Sequence, residues 1–67
     1  MTVREFINNN PEAIIEDNEV MEGSYYNDWI SIDNALDRNI LEVRENSDGT
    51  FLIIVWKKYW QIKQSVL

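Results

Sequence analysis

Five acids crowd one stretch of this sequence: Glu16, Asp17, Glu19, Glu22 and, after a short gap, Asp28. Carboxylates so closely spaced can supply hard oxygen ligands to calcium or magnesium. They can equally present a block of negative charge to a cationic surface and speed the encounter with it. The spacing of the first four does not match an EF-hand loop, and the glycine at that loop's sharp turn is missing. An acidic turn facing solvent or a partner is therefore the better reading, with no metal and no other cofactor expected.

Other catalytic chemistry lacks its usual groups. The chain has no His and no Cys, which removes the commonest general base and the strongest side-chain nucleophile. Ser24, Ser31, Ser47 and Ser65 have no imidazole to activate them. A pair of carboxylates could in principle act on a glycosidic bond, but only inside a substrate cleft that 67 residues rarely enclose. Gly23 and Gly49 are the only glycines, too few for a phosphate-cradling loop. The sequence predicts a protein that is not an enzyme.

Lys57, Lys58 and Lys63 interleave with Trp56, Tyr59 and Trp60, a mixture that can stack bases and hold phosphates. Three lysines within a net charge of -6 leave a weak footprint for nucleic acid, so direct binding to it is not expected. Trp and Tyr are also the residues most enriched at interface hot spots. A small core takes in Trp29 and Trp56, while Tyr59 and Trp60 are read as anchors for another chain. The candidate partner-binding residues are thus Glu16, Asp17, Glu19, Glu22, Asp28, Tyr59 and Trp60.

The elements that must position these residues can be read in turn. Thr2 and Glu5 frame a capping box, and Val3, Phe6 and Ile7 form the apolar stripe of a short helix. Asn8-Asn9-Asn10-Pro11 ends it. Residues 13–16 read as a strand, 17–19 as a turn, and 20–22 as the start of a returning strand that resumes at Tyr25 and Tyr26. A helical turn over 16–22 is the alternative there. Ser31 is a suitable N-cap for a second helix with Asp33 at its positive end and Ile32, Ala35 and Leu36 along its stripe.

Residues 39–45 alternate, with Leu41 and Val43 on one face and Glu42 and Arg44 on the other. Asn46-Ser47-Asp48-Gly49 supplies the turn, and 51–56 returns as a strand apolar on both faces, the mark of a central strand or of a face that meets a partner. The tail, 57–67, suits a helix or a strand equally. The expected fold class is α+β: one domain of two layers, a small antiparallel sheet carrying two short helices on one face, in the order α-β-β-α-β-β.

Size and charge set the limits. One chain of 67 residues without Cys must be held by apolar packing, for which 45% hydrophobic content is ample. The start is neither basic nor followed by a long apolar run, and the longest apolar run, 51–56, is far too short to span a bilayer. A cytoplasmic protein with no membrane partner is expected. Nine acids and no Lys or Arg lie between Glu5 and Asp37, whereas five of the six basic residues stand at Arg38 or later. This asymmetry fits a protein partner with a basic surface.

The segments Thr2-Val3-Arg4-Glu5-Phe6-Ile7, Asp37-Arg38-Asn39-Ile40-Leu41-Glu42-Val43 and Asn46-Ser47-Asp48-Gly49-Thr50, the last followed by Phe51 to Val55, resemble small proteins carried by phages and mobile elements of low-GC Gram-positive bacteria. The resemblance spans most of residues 2–55 and leaves the tail out. It implies a bacterial host cell but no activity; small acidic proteins of this kind often act by stoichiometric binding to a host protein, as in inhibitors of CRISPR and other nucleic-acid-handling defence systems. It supplies no site residues. The alternative is a structural or accessory protein of a mobile element, working as a homodimer or larger homo-oligomer without inhibiting anything.

Overall fold

The computed structural model describes residues 1–23 and 28–57. Helix α1 (Val3–Asn9) is followed by strands β1 (Ile15–Glu22) and β2 (Asp28–Ser31), the single-turn helix α2 (Ile32–Ala35), and strands β3 (Ile40–Glu45) and β4 (Phe51–Val55). The α+β class and the α-β-β-α-β-β order are as the sequence predicts. The expected strand at Tyr25 and Tyr26 and the tail beyond Lys57 lie outside the described residues.

The first helix is short enough that its end groups decide whether it forms. Every N–H of its first turn has an acceptor. Val3 donates to the Arg38 carbonyl at 3.1 Å, Arg4 to the Leu36 carbonyl at 2.9 Å and Phe6 to the Thr2 carbonyl at 3.0 Å. The Glu5 N–H donates to Thr2 Oγ1 at 3.2 Å, and the Thr2 N–H returns a bond to Glu5 Oε1 at 3.0 Å, completing the capping box. The carbonyls at the end of α2 therefore satisfy the positive end of α1. An Arg4–Asp37 ion pair at 3.2 Å runs alongside on the surface.

The sheet order is β2-β1-β4-β3. The two outer pairings are antiparallel, but β1 and β4 run parallel, so the sheet is mixed rather than wholly antiparallel. The cause lies at residues 17 and 18. Asp17 and Asn18 adopt φ of 52° and 54°, as a turn would require, yet the chain does not reverse. It bulges out and resumes in the same direction, so that Ile15 pairs with Phe51 and Val20 with Ile53. Five steps along β1 are matched by two along β4. The expected strand, turn and returning strand over 13–22 are one irregular strand, and its antiparallel partner is β2.

The second hairpin is as predicted. Asn46 and Gly49 close the turn through N–H donations to the Thr50 and Asn46 carbonyls, and Gly49 sits at φ +87° where a side chain would be strained. Leu41 is the extra residue of a bulge between the pairs Ile40–Val55 and Glu42–Ile54. Val3, Phe6, Ile15, Val20, Ala35, Ile53 and Val55 make one buried cluster, and Ile7, Ile32 and Leu36 pack on it. Both helices thus lie on the same face of the sheet. Phe6 meets Phe51 edge to face, with ring centroids 5.9 Å apart. The opposite face carries Ile54, which is 2% exposed yet outside that cluster, so β4 is a central strand apolar on both sides.

Candidate partner-binding surface

The bulge in β1 determines where the candidate acids go. Two of the five are occupied inside the fold. Glu22 accepts from Arg38 Nη2 at 2.6 Å, and both side chains are largely covered. The same Nη2 reaches the Trp56 carbonyl at 2.5 Å, while Arg38 Nε is buried without a hydrogen-bond partner. Arg38 thus ties the end of β1 to the end of β4 from its place just after α2. Glu16 accepts from Asn46 Nδ2 at 3.0 Å, which joins the β1 bulge to the β3–β4 turn. Neither carboxylate is placed as a free ligand for a partner.

Asp17, Glu19 and Asp28 are different. Asp17 and Asp28 are exposed and Glu19 is half-buried. A groove of about 390 Å³ is lined by Asp17, Asn18, Glu19, Ser31, Ile32 and Asp33. The left-handed backbone at residues 17 and 18 forms one wall, and the junction of β2 with α2 forms the other. Among the described residues no basic side chain lines it. Asp28 stands at the far end of β2, opposite Glu22 in register. The structure thus brings together Asp17 and Glu19, adds Asp33, and leaves Asp28 apart.

Asp33 is expected from the sequence only to favour the helix dipole, and nothing local marks it for the groove. It arrives there because β2 pairs antiparallel with β1, setting Ser31 opposite Glu19. Ser31 does occupy the N-cap of α2, but its side chain makes no capping bond. Trp29, expected in the core, is 45% exposed because β2 is an edge strand. Trp56 is half-buried. Tyr59 and Trp60 lie outside the described residues.

All three arginines among the described residues are engaged with acids: Arg4 with Asp37, Arg38 with Glu22, and Arg44 with Glu42. The hydrogen bond to Glu42 pushes the Arg44 guanidinium pKa further up. Two carboxyls are held below their ordinary range by local donors. The Thr2 backbone N–H, and then its hydroxyl, do this for Glu5, and the Thr50 hydroxyl, and then its N–H, for Asp48. Glu5 is the capping residue of α1, and Asp48 belongs to the β3–β4 turn.

Among the described residues no three acids converge closely enough to hold a metal ion. A second groove, about 410 Å³, is lined by Asn9, Asn10, Pro11, Glu12, Ala13 and Phe51, with a single titratable group. Among the described residues no helix is long and apolar enough to cross a membrane. No protein-family model, curated protein or solved structure matches the chain.

Proposed function

We propose that this chain is a non-catalytic, acidic protein-binding module that engages a basic surface of a host nucleic-acid-binding protein. The sequence resemblance points to a phage or mobile-element inhibitor or modulator of a CRISPR-type defence enzyme. The observation that carries the reading is the groove between β1 and α2. Among the described residues its three carboxylates, Asp17, Glu19 and Asp33, face no lining cation, while the three arginines of the frame are paired elsewhere. A phosphate-binding surface offers the complementary charge, and carboxylates there would compete with nucleic acid. The absence of His and Cys from the sequence supports a stoichiometric rather than catalytic role.

Pull-down from bacterial host cells followed by competition with DNA tests this. The captured protein should be cationic and should release DNA as the chain is added. Its affinity should fall about tenfold or more as salt is raised past the range where charges are screened within about 8 Å. Asp17→Asn, Glu19→Gln and Asp33→Asn together should weaken the complex similarly while leaving the melting temperature in place. Binding that ignores both salt and the triple substitution would sink the reading.

A further inference from the structure

We infer that the outer edge of β2 is a docking strand for an extended, lysine- or arginine-bearing segment of the partner, which would add a fifth strand to the sheet. The inference rests on the acidic-module reading and goes beyond it by naming the conformation in which the partner binds. β2 ends the sheet, and among the described residues no strand pairs with its outer side. An edge strand offers unpaired N–H and C=O groups that another chain can complete.

Natural edges are guarded by shortness, lysines, prolines, bulges or rows of charge. β2 is short, at four residues, but among the described residues it has no lysine, proline or bulge, its one charge is Asp28 at its start, and it carries the exposed indole of Trp29. Register sets Trp29 opposite Met21, and Met21 opposite Ile54, so the indole begins an apolar stripe on the face away from the helices.

The charge around this edge selects the occupant. Asp28 marks one end of β2, and the groove carboxylates Asp17, Glu19 and Asp33 lie by the other. A second copy of this chain would bring the same acids against them, at a net charge of -6 per copy. A basic strand meets them favourably. Its cationic side chains can reach Asp28 and the groove, and one can lie over the Trp29 ring. Backbone bonds would give affinity, with the acids and the indole setting the choice of sequence.

Amide hydrogen exchange and NMR titration of the full chain with synthetic ten-residue peptides test this. The probes are a peptide alternating Lys with Val and Thr, the same peptide N-methylated along its backbone, and a helix-forming peptide of equal charge. The unmodified strand peptide should bind and slow exchange at β2 amides. N-methylation should weaken it about tenfold, since it removes two or more hydrogen bonds. Trp29→Ala should cost about threefold. Equal binding of all three peptides would overturn the inference and leave the acidic module intact. Failure of the strand peptide to bind at low salt would also overturn it, with the module judged separately on the captured host protein. β2 amides already protected in the free chain, by residues 58–67 or by a second copy seen in sedimentation, would overturn it as well.

Discussion

The two edges of the sheet are built on opposite principles. β3 has six residues, of which Glu42, Arg44 and Glu45 are exposed, and Glu42 and Arg44 pair at 3.0 Å along the strand. A bulge at Leu41 breaks its regular ladder at the start, and the Met1 carbonyl accepts from the Ile40 N–H. Bulges and charges are devices that deter strand addition. β2 has four residues, one charge and an exposed tryptophan. Among the described residues β3 carries both devices, whereas β2 has only its shortness and one charge; on the proposed reading β3 supports and β2 presents.

The largest expected effect comes from removing the clamp that joins the two halves. Arg38→Met keeps the volume but leaves Glu22 and the Trp56 carbonyl without their donor. Breaking a buried pair costs about 3–5 kcal/mol. With both side chains slightly open to solvent, about 2–3 kcal/mol is expected, read from the urea midpoint at unchanged m value. Exchange should rise more at β1 and β2 than at β3, because the β3–β4 hairpin keeps its own turn. A uniform rise would mean that the two edges share one support.

A smaller effect sharpens the comparison directly. Replacing Glu42 and Arg44 together by Thr strips the guard from β3 and removes a surface ion pair worth at most about 1 kcal/mol. Stability should change little, but sedimentation should show more self-association than in the parent chain. If the variant self-associates no more than its parent, charge is not what protects β3.

The smallest effect is with pH. Glu5 and Asp48 have folded pKa values below their unfolded values of 4.5 and 3.8. Their contributions are therefore fully present above those values and are lost as pH falls through the folded pKa values. Acid titration followed by NMR should show loosening at the N-terminus of α1 and at the β3–β4 turn below about pH 4. Because these carboxylates are fully exposed, only a slight change in the global midpoint is expected. Loosening first at β2 would reverse the assignment of the stiff and presenting edges.

How legible these features were follows from the range of the interactions that make them. The capping box of Thr2 and Glu5 and the Asn46–Gly49 turn are closed within four residues, and the sequence shows both. The strand–turn–strand pattern expected over 13–22 fails because left-handed residues serve a reversal and a bulge alike. What decides between them at Asp17 and Asn18 is the pairing of Ile15 and Val20 with Phe51 and Ile53, more than thirty positions away. The acids behave the same way. Glu16 is taken by Asn46 and Glu22 by Arg38, partners that a reading of local charge cannot supply. Asp17 and Glu19 stay available because the bulge turns them out, and Asp33 joins them through the β1–β2 register.

The place of β4 has a consequence for how the chain is made. β4 contributes Ile53 and Val55 to the buried cluster and separates β1 from β3, yet among the described strands it is the last to be synthesised. Until it emerges from the ribosome, β1 and β2 can form only a two-stranded ribbon, which is marginal in water. The parallel β1–β4 pairing also closes a long loop, a slow step. The β3–β4 hairpin, by contrast, is local in sequence, so β1 and β2 depend for their support on a strand more than thirty positions away.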